Sequence, residues 1–388
     1  MKTSPGIEGP VRSLYVQVPF CPERCDYCSI PVSIHPERAE GYLKALSLEK
    51  GRIRSRLDLG SIRTLYLGGG TPTSLAPGLF SDLIDLLKEG LPPLREFTVE
   101  SRPDTLDVPM LKLLERKGVS RLSIGMEAAS SEQMGFLGRH TNPYGISRML
   151  EFVRSNFSGQ ISMDFIIGGL GYDPSRFRTI SYDLLEAGLD HLSAYPLTLE
   201  NRTVLTLRDT RGELSDTLEE DAAEFWKTAT EDLRSMGWNQ YEVANFSRNP
   251  ETVCQHNLSV WNGESYLGMG AGAHQRVMYV RSENVRSYIT YEERLKRGES
   301  PLDNREILSE AQVFLEVIYT NARLSYGIPR SWLDDCFDPY ELSNLLFRMI
   351  DRHWIKTEEI AHGRIAFTPE GWLFLDTLIG EFSSLIER

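Results

Sequence analysis

Between residues 13 and 236 the sequence repeats one pattern six times: a short apolar or alternating run, then a stretch with helical spacing. The runs cover 13–20, 62–67, 96–100, 121–124, 161–167 and 191–195. The helical stretches expected after them cover 38–57, 79–88, 108–117, 131–137 with 144–153, 182–187 and 218–236. Strand–helix units in series call for a parallel sheet, right-handed crossovers and helices over its outer face. The expected fold class is therefore α/β, a sheet curled into a full or partial barrel of six units. In such sheets the chemistry gathers at the C-terminal ends of the strands. Unusual residues fall there in this chain. Three cysteines follow the first strand, Gly68-Gly69-Gly70 the second and Glu100 closes the third. Gly125-Met126-Glu127 follows the fourth, Gly168-Gly169 the fifth and Tyr195-Pro196 the sixth. Asp164 lies within the fifth, among Ile161, Met163, Phe165, Ile166 and Ile167, where a carboxylate needs a partner.

The remainder of the 388 residues reads differently. Charges and Pro301 between 294 and 305 suggest a linker. Beyond it come helices at 310–322 and 338–349, a hairpin at 354–367 turning at Gly363, and a last helix at 370–386, a winged-helix-like order. The chain is thus divided into residues 1–290, with the barrel at about 10–240, and a small helical module at 300–388. Asp334, Asp335 and Asp338 argue against a DNA-reading helix there, so the module is expected to cover the cleft. With 42 Lys and Arg against 55 Asp and Glu, the net charge of −13 argues against coating nucleic acid or an anionic membrane. No run reaches the roughly 18 apolar residues of a membrane helix. The start, Met1-Lys2-Thr3-Ser4-Pro5-Gly6, lacks the apolar stretch of a signal peptide, so a cytoplasmic location is expected.

Three of the five cysteines, Cys21, Cys25 and Cys28, stand in C-x3-C-x2-C spacing. A loop of this length wraps three soft thiolates round one face of a 4Fe–4S cubane and leaves one iron open. Zinc is the alternative, and it wants a fourth ligand from Cys254 or a histidine.

The spacing, with Tyr27 before the last cysteine, resembles the radical S-adenosylmethionine (SAM) enzymes. Residues 13–21 (SLYVQVPFC), 68–73 (GGGTPT), 118–125 (GVSRLSIG), 137–139, 241–246 (YEVANF) and 266–274 (YLGMGAGAH) narrow the likeness. They resemble the oxygen-independent coproporphyrinogen III oxidase-like family, which includes a heme-chaperone branch. The resemblance implies a 4Fe–4S cluster on Cys21, Cys25 and Cys28, with SAM chelating the open iron. It implies that Gly69, Gly70 and Thr71 approach the methionine amino group. Glu100 would accept from the ribose or amine, and Arg139 would pair with the SAM carboxylate. Asp164 would meet a ribose hydroxyl or Arg139, Tyr27 would lie beside the adenine, and Tyr15 would reach the same cleft. The family usually has Gly-x-Gln-Ser where this chain has Gly125-Met126-Glu127-Ala128, and an ionised Glu127 accepts but does not donate.

The family's oxidases carry a fourth cysteine two residues past the third; here that position is Ile30. The missing thiol argues against coproporphyrinogen decarboxylation and for the heme-chaperone branch, leaving open whether SAM is cleaved. The implied partners are heme or a related tetrapyrrole, an electron donor and a heme-acceptor protein. A downstream motif, His256-Asn257-Leu258-Ser259-Val260-Trp261, makes His256 a candidate heme ligand, with a hydrogen-bonded structural histidine as the alternative. Cys254 is a second candidate thiol ligand, and His274 is read as structural.

Overall fold

The computed structural model describes residues 9–139 and 145–386. The signal-peptide reading of residues 1–6 and the expected helix start at Tyr144 lie outside the described residues. Six parallel strands run in sequence order, each hydrogen-bonded to the next: β1 (Ser13–Val18), β2 (Thr64–Gly69), β3 (Glu96–Ser101), β4 (Arg121–Glu127), β5 (Gln160–Ile167) and β6 (His191–Pro196). The helices between them include Ala39–Arg54, Pro77–Lys88, Val108–Arg116, Ile146–Arg154 and Pro174–Glu186, with Leu218–Ser235 after β6. The fifth starts well before the expected 182, because Asp173 caps it through Ser175 N and Arg176 N with Pro174 in its first turn.

The strands alternate as period-two geometry requires. Leu14, Val16 and Val18 of β1, Leu65 and Leu67 of β2, Phe97 and Val99 of β3 and Leu122, Ile124 and Met126 of β4 belong to the main hydrophobic core. The alternate residues on β2–β6 carry the polar groups: Tyr66, Glu100, Arg121, Ser123, Glu127, Asp164, Ser193 and Tyr195 all line one cavity.

The barrel is partial. β1 and β6 do not pair with each other; further strands flank each of them. Beside β6 lie β7 (Asn239–Gln240) and β8 (Asn245–Ser247), and beside β1 lie β9 (Tyr266–Met269), β10 (His274–Val277), β11 (Val280–Asn284) and β12 (Leu302–Ile307). The expected linker at 294–305 is corrected by this geometry. Its first residues end the helix Tyr288–Lys296, and its last form β12, which pairs antiparallel with β11 from Val280↔Ile307 to Asn284↔Leu302. The charges that suggested a linker suit an exposed edge strand, where they discourage further pairing.

The C-terminal module follows a winged-helix order. Helix Glu310–Ala322 leads to strand Ile328–Pro329, then helices Arg330–Cys336 and Pro339–Asp351. Ile328–Pro329 pairs with Arg364–Ile365, and Ile355 bridges Phe367 in the expected hairpin. The last helix is broken into Pro369–Leu373 and Leu375–Ile386 around Phe374, whose ring stacks on Trp354 at 4.9 Å. Among the described residues no helix is long and apolar enough to cross a membrane.

Candidate functional site

A cavity of about 780 Å³ opens at the C-terminal ends of the strands and runs down the inside of the barrel. Eleven residues expected at the site line it: Cys21, Cys25, Cys28, Tyr27, Gly69, Gly70, Thr71, Glu100, Glu127, Arg139 and Asp164. Tyr15 and His256 are not among its lining residues.

The cysteine loop is fixed by contacts with three other rim segments. Asp26 N donates to Leu137 O at 3.0 Å, and Leu205 N donates to Asp26 O at 3.0 Å. Gly138 has φ +69°, and a Cβ there would stand 2.5 Å from Asp26 Oδ1, so glycine is required at this close approach. Arg102, 4% exposed, bonds Glu23 of the loop and Asp104 of its own segment, tying the loop to the end of β3. Cys21 Sγ lies 3.4 Å from Thr71 Oγ1, and Arg139 Nη1 lies 3.8 Å from Cys25 Sγ. Burial pushes all three thiols up in pKa, Cys28 to about 11. Such thiols become ligands by releasing their protons to solvent when a metal centre binds.

The donor set fits an anionic cluster and an anionic cofactor group. Three thiols share one cavity, two guanidinium groups stand beside them, and Arg102 Nη1 and Arg139 Nε are buried donors without a hydrogen-bond partner. Arg139, 4% exposed, also donates to Gly125 O and lies 3.9 Å from Glu127 Oε1. Glu127 occupies the left-handed region at φ +65°, uncommon for a residue with a side chain. Its carboxylate folds back over Gly125, where a Cβ would stand 2.4 Å from Glu127 Oε1. Burial pushes the Glu127 carboxyl up, against the opposing pull of Arg139.

The glycine triplet has packing work as well. Gly69 N donates to Glu100 Oε2 at 2.9 Å, and Tyr66 OH donates to Glu100 Oε1 at 2.9 Å. A Cβ on Gly70 would stand 2.5 Å from Phe20 O. Burial pushes the Glu100 carboxyl up to about 7 despite these two donors.

Asp164 does not meet Arg139, one of its two expected partners. Serines brought together by the sheet register hold it: Ser123 Oγ at 2.8 Å, Ser193 Oγ at 2.6 Å and Ser162 Oγ at 3.3 Å. Tyr15 does not line the cavity; its hydroxyl donates to Gln17 Oε1 at 2.7 Å and its ring lies 5.9 Å from that of Tyr66.

His256 realises its structural alternative. It is 5% exposed, its Nδ1 is 2.9 Å from Thr64 Oγ1, and its ring is 5.1 Å from that of Tyr66. Thr64 begins β2 while the cysteines follow the end of β1, so His256 sits at the opposite end of the barrel from the cluster loop. Burial pushes its pKa down to about 3. Cys254 is also fully buried, its thiol 3.5 Å from Glu96 Oε1, and is placed as a packing residue. His274 is exposed at the start of β10.

Arg102, Tyr66, Arg121, Ser193 and Asn245 line the cavity without having been singled out. Arg102 carried a legible signal, since it directly follows a strand end on the reactive side. Ser193 and Asn245 carried none, because their roles depend on cross-strand register: Ser193 Oγ bridges Asp164 and Asn245 Oδ1, the latter at 2.7 Å.

Residues 15–181 match the family model of the radical SAM superfamily. The heme chaperone HemW of Bacillus subtilis (strain 168) is 30% identical over 325 residues, 82% of this chain and 85% of that protein. HemW of Mycobacterium tuberculosis (strain ATCC 25618 / H37Rv) is 29% identical over 374 residues, 94% and 93% of the two chains. Coproporphyrinogen III oxidase (HemN) from Escherichia coli superposes with a TM-score of 0.78, covering 98% of this chain and 92% of that one, at 21% identity. That last likeness is one of fold.

Proposed function

We propose, from the premise that the chain belongs to the radical SAM superfamily and within it to the heme chaperone HemW branch, that it binds heme and passes it to acceptor proteins. Radical SAM membership implies a 4Fe–4S cluster and SAM. In this reading Cys21, Cys25 and Cys28 hold the cluster and Arg139 takes the SAM carboxylate. Glu100, Glu127 and Asp164 face the rest of the nucleotide, with Tyr27 beside it. A bound cluster would supply the electron for any reductive cleavage of SAM. The protein's part is to hold, orient and shield. Arg139 and Arg102 offset the negative charge of thiolates and carboxylates in the cavity. Arg102 keeps the cysteine loop against β3 through Glu23. Glu100 has its acceptor oxygens set by Tyr66 and Gly69, so its orientation is fixed before any ligand arrives.

One observation carries the chaperone reading: the likeness to HemW proteins extends along more than four fifths of both chains. Ile30, which stands where the oxidases carry a further thiol, is itself in the cavity wall, 37% exposed. The C-terminal module acts in this reading as a cover, since Tyr319 and Arg323 line the cavity and Arg323 Nη2 lies 3.6 Å from Glu242 Oε2.

The test is anaerobic reconstitution followed by hemin titration and transfer to an apo heme protein. Saturable binding with transfer is expected, and coproporphyrinogen III incubated with SAM and reductant is expected to persist. Decarboxylation of that substrate, or absence of hemin binding, would overturn the reading.

A further inference from the structure

The end of the barrel away from the cysteines is closed by the helix Gln255–Trp261. The first residues of three strands hold it there. Ser13 of β1 meets Ser259 at 3.0 Å between hydroxyls, and Thr64 of β2 meets His256. Glu96 of β3 accepts from Gln255 N at 2.7 Å and His256 N at 3.0 Å. The first residue of the next strand, Arg121, breaks the series. It is 2% exposed, its Nε is buried without a partner, and the guanidinium makes no hydrogen bond or ion pair with any described residue. It lines the cavity, as do Asn257 of the closing helix and Tyr319 and Arg323 of the C-terminal module.

The groups around Arg121, Cys254 and Glu96 foremost, favour its charged form, but none makes a hydrogen bond or ion pair with it. Glu96 is the acidic side chain nearest in effect, and both its oxygens are occupied by the helix N–H groups. Cys254, Tyr66 and Tyr241 also face it, and burial keeps all three protonated. A buried guanidinium is costly unless an anion completes it, and its planar fork matches a carboxylate. That anion is not the SAM carboxylate at Arg139. Arg121 and Glu127 stand six residues apart on β4, about 20 Å at about 3.3 Å per residue.

We propose that the floor of the cavity is a carboxylate subsite anchored by Arg121, which receives a propionate group of the bound tetrapyrrole. The proposal rests on the heme-binding reading and adds where the macrocycle's acidic edge points. Asn257 and Arg323 border the subsite from the closing helix and the covering module, so the carboxylate is met from three parts of the chain.

The test compares hemin with hemin dimethyl ester, whose propionates are blocked, on the reconstituted full-length protein. Wild type is expected to bind the ester at least ten-fold more weakly than hemin. Arg121→Met is expected to weaken hemin at least ten-fold, to bind hemin and ester alike, and to keep its SAM affinity. Arg121→Lys should restore part of the discrimination. Equal binding of hemin and ester by wild type overturns the subsite and leaves the heme reading standing; this arm needs no variant to fold. Discrimination that survives Arg121→Met overturns the role of Arg121. Loss of SAM affinity in step with hemin assigns the residue to SAM and overturns the proposal. Wild type that binds no hemin sinks the heme reading and the subsite together.

Discussion

Replacing Gly70 by alanine tests whether the glycine triplet is fixed by packing against the cysteine loop. The added Cβ would stand 2.5 Å from Phe20 O, 2.7 Å from Val18 O and 2.9 Å from Phe20 N. All three are backbone atoms of the segment that delivers Cys21, and none can swing aside as a side chain would. Gly70 N also donates to Val18 O at 2.9 Å, so the two strands cannot separate without losing that bond. Overpacking of this kind costs about 1–3 kcal/mol. In a chain of this size that is a fall of roughly 1–4 °C in melting temperature. Gly51→Ala is the matched control. Gly51 lies inside the helix Ala39–Arg54 with nothing within 4 Å of the added Cβ, and the change should stabilise by about 0.5–1 kcal/mol. Differential scanning calorimetry and iron content after anaerobic reconstitution read both variants. The expected result is a lower melting temperature and reduced iron for Gly70→Ala, with Gly51→Ala at or above wild type on both. A Gly70→Ala protein with wild-type melting and full iron would refute the packing argument.

Three further outcomes follow from the same geometry. His256 is held neutral in the fold, with its pKa pushed down to about 3 against an ordinary value of 6.5, so the unfolded chain binds the extra proton between those values. Stability from this residue is therefore present above pH 6.5 and lost as pH falls toward 3, with a slope of about 1.4 kcal/mol per pH unit. Urea melts of wild type and His256→Gln should differ by that slope across this window, and parallel curves would contradict the placement; hemin affinity of the folded variant should match wild type. Cys28→Ala should lose most of its iron under anaerobic reconstitution while its circular dichroism is retained, and full iron loading would remove Cys28 as a ligand. Asp164→Ala strands Ser123, while Ser193 keeps Asn245 and Ser162 keeps His191, so the cost is about 1–3 kcal/mol for the one stranded group. Calorimetry should show a clear fall in melting temperature, and an unchanged melt would refute the serine network.

The six barrel strands were legible because each buries its apolar alternate residues under helices and carries its polar ones inward. The edge strands were not. β11 (VRSEN) and β12 (LDNREI) are half exposed and polar, and their pairing is set by neighbours distant in sequence. The cavity was legible wherever a residue sits at or after a strand end, which is why Cys21, Gly70, Glu100 and Glu127 were found. Its interior was not, because what a buried polar group meets is decided by register. Asp164 stands beside Ser193 in the β5–β6 ladder and Gly125 in the β4–β5 ladder, and no spacing in the chain announces either pairing. His256 was left between ligand and structural residue for the reverse reason. A histidine in a motif suggests a ligand, whereas the helix that carries it is bound to the starts of β1, β2 and β3. Arg121 carried the signal that went unread: a charged residue opening an otherwise apolar strand has to be answered somewhere.

The central claim is that three thiolates hold an iron–sulfur cluster with one iron left for SAM. Electron paramagnetic resonance of the dithionite-reduced, anaerobically reconstituted protein addresses it directly, recorded before and after adding SAM. A 4Fe–4S signal that shifts on addition, and a weakened shift in Arg139→Ala, is the predicted result. A reduced-cluster signal indifferent to SAM, or iron loading that survives loss of all three cysteines, would contradict it.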